Sequence, residues 1–259
     1  MRPHSPGSVE TDKEQSMKTQ PFLLHVLSPL HAGTGHAVDV VDLPTARMKA
    51  TGIPFVPGSS IKGVLRDARK SANTDPGRVL AVFGPETGQA SEHAGALVVG
   101  DARLLALPVR SFRGTFAWAT SPLLLTLASR DLDALVESTP IPNIAGRGAR
   151  LAPGSCCGFR DRLYLEDLDL PAQELEQVAA WAGLLAPLVF PDGDIFTKRL
   201  AIVDDETMTF LWETATQVDA RVRLSETTRT VAPGALWLEE SLPPETLLIG
   251  LLLGDRSRS

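Results

Sequence analysis

Short apolar runs, each closed by proline, glycine or serine, divide this chain into alternating strands and helices. Pro21–Val26 (P-F-L-L-H-V) reads as a buried strand that ends at Ser28-Pro29. In Phe55–Lys70, Pro57-Gly58 marks a turn, and Ser59 or Ser60 is the natural N-cap of a helix. Ile61, Val64, Leu65 and Ala68 then recur at helical spacing, with Lys62, Arg66, Arg69 and Lys70 on other faces. Ala96–Val99 and Leu104–Leu107 predict two strands with Gly100-Asp101 at a turn between them, and Pro122 opens a helix to about Val136. Residues 139–160 hold three prolines and four glycines with Arg147, Arg150 and Arg160, an irregular basic loop. Beyond it lie a short strand at Leu163–Leu165 and a helix over Glu174–Leu188 with Val178, Trp181, Leu185 and Leu188 inward. Next come a strand at Phe196–Val203 and a helix at Asp204–Thr214 capped by Asp204 or Asp205. Val218–Leu224 alternates V-D-A-R-V-R-L and predicts a hairpin with Thr228–Leu238 that carries Arg221, Arg223 and Arg229. Leu247–Leu253 is a last strand. Strands and helices intermixed without an internal repeat indicate an α+β fold. Residues 1–16 are polar and read as a disordered tail before Met17, leaving 17–259 as one domain with insertions.

Charge changes this picture through its distribution. The net charge of −6 argues against a uniformly basic nucleic-acid binder. Yet Arg47–Lys70 carries six basic residues against one acid, and Ala102–Arg130 has four arginines and no acid. Asp161–Glu206 has eleven acids against three bases. A chain polarised in this way can turn one basic surface toward a polyanion. The adjacent Cys156 and Cys157 have neither disulfide nor zinc-finger spacing, which favours a reducing cytoplasm. The apolar runs at Leu123–Leu127 and Leu247–Leu253 are too short to cross a bilayer, so no membrane partner is expected.

Three stretches carry candidate chemistry. In His31–Arg47, Gly33 and Gly35 permit a close approach of backbone to ligand, and Val40-Val41 anchors a loop flanked by Asp39 and Asp42. A carboxylate beside bound phosphates holds a divalent cation or orients a proton transfer; in isolation either aspartate reads as well as a turn cap. At Ser59–Arg66 a serine-capped helix start, with Lys62 and Arg66 one turn apart, suits a phosphate, although the same residues also fit a solvated basic face. The stretch is not a P-loop, because Lys62 stands four residues after Gly58 and is followed by Gly63. Ser111–Thr120 (S-F-R-G-T-F-A-W-A-T) is aromatic and basic, either a single-stranded RNA surface or, for Phe112, Phe116 and Trp118, core. The five histidines (4, 25, 31, 36 and 93) lack zinc-ligand spacing, and Ser59-Ser60 lacks the G-x-S-x-G context of a serine hydrolase.

Taken together, S-P-L-H-A-G-T-G, V-V-D-L-P-T-A-R and T-G-I-P-F-V-P-G-S-S-I-K-G-V-L-R resemble the N-terminal signature of the RAMP superfamily of CRISPR proteins. The V-V-D-L-P element is similar to the repeated backbone subunit of the type III-B (Cmr) effector. V-F-G-P at 82–85, G-D-A-R-L-L at 100–105, R-L-Y-L-E at 162–166 and E-S-L-P-P-E-T-L at 240–247 extend the match in order. The resemblance implies a ferredoxin-like, RRM-type core with insertions and a thumb hairpin, assigned here to Arg221–Leu238. It implies copies stacked along a guide CRISPR RNA beside other Cmr-type subunits, and metal-dependent cleavage of single-stranded target RNA at regular intervals. Asp42 then takes the place of the catalytic aspartate and of the ligand to Mg or Mn. His31, Gly33, Gly35, Arg47, Ser59, Ser60, Lys62, Arg66, Arg113, Arg221, Arg223 and Arg229 are the expected RNA contacts. Relatives continue past D-R-S-R into a glycine-rich segment, which is expected to be missing here or supplied by another chain. Two other readings stand beside this one: a non-catalytic RNA scaffold of the same fold, and a phosphate-binding metabolic enzyme with a closed pocket.

Overall fold

The strand and helix pattern is built largely as the alternation predicts. The computed structural model describes residues 17–33, 41–72, 74–85, 94–132, 139–224 and 231–255. The expected tail at 1–16, Gly35, Asp39 and Arg229 lie outside the described residues. The elements in order are β1 (Met17–His25), β2 (Phe55–Val56), α1 (Gly58–Ser71), α2 (Pro76–Phe83), β3 (Leu97–Val99), β4 (Ala102–Arg110), β5 (Phe116–Thr120) and α3 (Pro122–Leu132). They continue with β6 (Ala149–Leu151), β7 (Gly158–Phe159), β8 (Arg162–Leu165), β9 (Leu168–Glu174), α4 (Glu176–Val189) and α5 (Gly193–Thr197). The last are β10 (Leu200–Val203), α6 (Asp205–Thr214), β11 (Gln217–Leu224), β12 (Val231–Ser241) and β13 (Leu247–Asp255). The chain divides into two compact units: Met1–Phe22, Val56–Ala102 and Gly250–Ser259 form one, and Leu23–Phe55 with Arg103–Ile249 the other.

In the larger unit the strand order is β13-β4-β5-β10-β6-β9-β8-β7. β5 pairs parallel with β10 (Leu200 opposite Trp118) and β6 parallel with β9, while the remaining neighbours run antiparallel. The central strands are buried on both faces, and the period-2 alternation sorts their side chains into two cores. Leu107, Ala117, Ala119, Ala201 and Val203 point to one face, against Met208, Leu211 and Trp212 of α6. Leu105, Trp118, Leu200 and Ile202 point to the other, against Leu125 and Ala128 of α3 and Val178, Trp181 and Leu185 of α4. Fully burying one such leucine contributes roughly 1.5–3 kcal/mol. β11 and β12 form a separate antiparallel ribbon, with Gln217 opposite Ser241 and Val222 opposite Leu236.

Several expectations are corrected. The strand expected at Pro21–Val26 begins earlier, at Met17, and its residues 21–25 are only half-buried, with Val26 alone fully buried. The irregular stretch at 139–160 contains β6 and β7, and the sequence pattern missed β9 altogether. Gly100-Asp101 closes no hairpin, because β3 and β4 each pair antiparallel with β13. The strand expected from Phe196 begins only at Leu200, since Gly193–Thr197 turns as α5. Leu188 is 52% exposed instead of inward. On α1, Val64 is 70% and Leu65 40% exposed, so the apolar side of that helix is left open among the described residues.

Candidate functional site

Asp42 and Leu43 of V-V-D-L-P lie along the outer edge of β12, the edge that β11 leaves open. Polar groups along β12 and just past its end are met there by Leu30, His31, Asp42 and Leu43. The Leu238 N–H donates to Asp42 Oδ2 (2.8 Å), and the Leu238 carbonyl accepts from the Leu43 N–H (3.1 Å). The Glu240 N–H donates to the Leu43 carbonyl (2.9 Å), and Leu242 exchanges two bonds with Leu30. Between them, His31 donates from Nδ1 to the Glu240 carbonyl (2.7 Å), because a carbonyl can only accept. That bond assigns the neutral ring's remaining lone pair to Nε2. Gly33 lies close to the ring: a Cβ at 33 would stand 2.5 Å from His31 Nε2, so any larger residue would push the imidazole from this position. Leu238 and Glu240, the residues that meet Asp42 and His31, are two apart on one strand, roughly 7 Å. Asp42 itself is exposed, with its carboxylate direction held by one backbone N–H.

Glu240, which opens the E-S-L-P-P-E-T-L stretch but is not among the expected RNA contacts, is the polar centre of this arrangement. Its side chain is 8% exposed. Oε1 accepts from Arg47 (2.6 Å) and the Thr216 hydroxyl (2.7 Å), and Oε2 accepts from the Thr45 N–H (2.9 Å). Arg47 also donates to the Trp212 carbonyl (2.9 Å). The guanidinium expected to meet RNA is thus largely engaged in holding the loop to β12 and α6. On the ribbon, Arg221 pairs with Glu239 (3.1 Å) and Arg223 is exposed. Arg113 projects beside the Phe159 ring, 5.6 Å from its centroid.

Ser59, Ser60, Lys62 and Arg66 lie in the smaller unit, and the expected serine cap is not made. Pro57 is the N-cap, no side chain of that residue caps the helix, and both serines are exposed. The Gly58 N–H donates instead to Asp101 Oδ1 (2.8 Å), while the Ser60 and Ile61 N–H groups close onto the Pro57 carbonyl. Pro57 presets the entry angle, and Gly58 lets the helix start press on β3, where a Cβ would stand 2.1 Å from the Val99 carbonyl oxygen. Lys62 Nζ donates to the Leu97 carbonyl (2.6 Å); partial burial first, then Arg66, lowers its pKa. Arg66 reaches the Pro85 carbonyl (3.4 Å).

Of the aromatic residues at 111–120, Trp118 is core and Phe112 is 75% exposed. Burial and the neighbouring Cys156 push the Cys157 thiol up to about 12, which removes it as a nucleophile. Among the described residues no three His, Cys, Asp or Glu side chains converge as metal ligands. Asp42 therefore fits a divalent cation only as a single carboxylate sharing the ion with a ligand's phosphate and water, the manner in which Mg²⁺ is commonly bound. None of the described helices is long and apolar enough to cross a membrane.

Comparison with known proteins meets this geometry at several levels. The CRISPR system Cmr endoribonuclease Cmr4 of Pyrococcus furiosus is 35% identical over 249 residues, covering 92% of this chain and 82% of that protein. The crystal structure of oligomeric Cmr4 from Pyrococcus furiosus superposes with a TM-score of 0.72 at 28% identity, over 92% of this chain and 82% of that one. A subunit of the type III-B Cmr-beta complex bound to cognate target RNA, 21% identical, shares the fold with a TM-score of 0.70 over 92% of this chain and 84% of that one. The sequence profile of the RAMP superfamily matches residues 23–258, from the first core strand through the site loop, the ribbon and β13. The chain that lays Asp42 and Leu43 along β12 belongs to the RAMP superfamily.

Proposed function

We propose that this chain is the repeated backbone subunit of a Cmr-type ribonucleoprotein, which binds guide RNA and cleaves complementary target RNA. The observation that carries the reading is the exposed Asp42 carboxylate, fixed on the Leu238 N–H two residues along β12 from the His31 contact. The 35% identity to a Cmr endoribonuclease supports the reaction class. The chemistry is attack by a ribose 2′-OH on the adjacent phosphorus: the 2′-O–P bond forms, the P–O5′ bond breaks, and a 2′,3′-cyclic phosphate and a 5′-hydroxyl result. Asp42 Oδ1, the oxygen not held by Leu238, accepts or orients the 2′-OH proton. His31 Nε2 offers a fixed acceptor to RNA, and Arg47 with Glu240 keeps both groups in register. A bound Mg or Mn ion would neutralise charge on the phosphate, with Asp42 as its protein ligand. Gly33, Ser59, Ser60, Lys62, Arg66, Arg113, Arg221 and Arg223 supply RNA contacts in this reading, the ribbon acting as the thumb. Lys62 spends one of its three donors on Leu97 and keeps two for a phosphate.

The single bond from Leu238 also favours a second reading, a scaffold in which Asp42 is merely a cap. Paired variants decide between them. Asp42→Asn keeps an acceptor for Leu238 and loses the charge, whereas Asp42→Ala loses both. A catalytic Asp42 predicts that both variants bind guide and target normally and lose about 10²-fold or more in cleavage rate. A target with deoxyribose just 5′ of the scissile phosphate should also resist cutting. Cleavage undiminished in both variants would leave the scaffold.

A further inference from the structure

A second surface of the larger unit, away from the Asp42 loop in sequence, has the make-up of a nucleic-acid platform. Phe112 stands 75% exposed at the turn after β4, and its ring meets the edge of Tyr164 on β8 (5.9 Å, 70°). Next to it, Arg113 and Arg160 approach the Phe159 ring, their guanidinium carbons 5.6 and 5.1 Å from its centroid. Two like charges gathered at one ring call for an anion, yet neither arginine forms an ion pair among the described residues. The neighbouring carboxylates of Glu166 and Asp169 are taken by Arg110 (3.1 Å) and Arg162 (2.6 Å).

The backbone here adopts conformations that non-glycine residues rarely take. Of the five non-glycine residues with positive φ among the described residues, four frame this surface: Thr115 (73°), Arg160 (49°), Asp161 (59°) and Glu166 (47°). Arg160-Asp161 forms the two-residue turn between β7 and β8, where both positions need positive φ and Asn-Gly is the preferred pair. Strain of this kind gathers at functional sites. Gly114 (φ 72°) is also held: a Cβ there would stand 2.8 Å from Cys156 Sγ, and its carbonyl accepts from Arg199 Nε (3.1 Å). The turn that presents Phe112 and Arg113 is fixed from behind.

We propose that Phe112, Tyr164 and the Arg113–Phe159–Arg160 cluster form a second contact surface for single-stranded RNA, with a base stacking on Phe112 and phosphates on the two arginines. An exposed aromatic ring beside half-buried ones and guanidinium groups that form no ion pair among the described residues is the pattern of sequence-tolerant single-strand binding. The inference rests on the RNA-guided reading and extends it to a part of the chain distant from the Asp42 loop in sequence. Asp161, beside Arg160 in the turn, opposes binding electrostatically.

The test uses the full chain and a fluorescent oligouridylate with no complementarity to any guide, titrated at several salt concentrations. Phe112→Ala should weaken binding about ten-fold, the size expected for one stacked base, and Phe112→Trp should restore it. Arg113→Ala with Arg160→Ala should lower the slope of log affinity against log salt by about 1.4, or 0.7 per phosphate. Asp161→Asn should strengthen binding. Parent-like affinity and slope in the alanine variants would overturn the platform. So would unchanged RNA binding with altered self-association by light scattering, which would assign the surface to a protein partner. Guide-directed cleavage by the assembled parent protein reports separately on the RNA-guided reading, so the two can fail independently.

Discussion

Glu240 meets Thr45, Arg47 and Thr216 through its carboxylate and His31 through its carbonyl, so one residue registers the loop against the ribbon and α6. Removing it strands the Arg47 charge and leaves the Thr45 N–H and Thr216 hydroxyl without their acceptor. Breaking a buried pair costs 3–5 kcal/mol, and Arg47 is a quarter exposed, so Glu240→Ala should destabilise by about 3 kcal/mol. In a chain of this size that is a fall in melting temperature of about 6–12 °C, readable by thermal unfolding, with Glu240→Gln losing less. The site was legible in sequence only where it is contiguous. Asp42 and His31 stand in one run of residues with recognisable spacing. Glu240 is separated from Arg47 by 193 positions, and nothing in its E-S-L-P-P-E-T-L stretch points to that partner; only the folded register brings the two together.

Helix ends show what a local pattern can and cannot specify. The cap of α6 was readable, because the acceptor precedes its own helix: Asp204 Oδ1 accepts from the Thr207 N–H (2.9 Å). The cap of α1 was not, because Asp101 reaches Gly58 from 43 positions away. The apolar stripe of α1 was likewise legible as a stripe, but periodicity says nothing of whether the chain itself covers it. β9 escaped notice because L-D-L-P-A-Q-E carries a proline and alternates too weakly to read as a strand. Asp204 also joins α6 to β6, since its Oδ2 accepts from the Gly148 N–H (2.9 Å) and the Thr207 hydroxyl (2.7 Å). Burial raises its pKa, but the bonds from Gly148 and Thr207 outweigh that and hold it below the usual carboxylate value of 3.8. A depressed folded pKa means stability that is present above pH 3.8 and lost as pH falls through the folded value. Asp204→Asn should therefore cost about 1–2 kcal/mol at pH 7. The gap from the parent should narrow below pH 4, as urea unfolding at pH 7 and pH 3 would show.

At the scale of the whole molecule, a subunit that repeats along a guide must present two different, complementary faces, because head-to-tail contacts do not close on themselves. The polarised charge of the sequence suits such an arrangement. Static light scattering with guide RNAs of increasing length should then show mass growing in steps of 27.7 kDa plus added RNA, whereas a strictly monomeric chain at every length would refute the repeated-subunit reading. The loop on β12 bears on this assembly in another way. An unpaired strand edge is a template for any passing strand, and a protein that gathers many copies of itself on one RNA raises its own local concentration. Asp42, Leu43, His31 and Leu30 occupy successive donors and acceptors of that edge, and so blunt it. The loop proposed to cut RNA is also a guard against edge-to-edge aggregation, and substitutions within it are answerable to solubility as well as to catalysis.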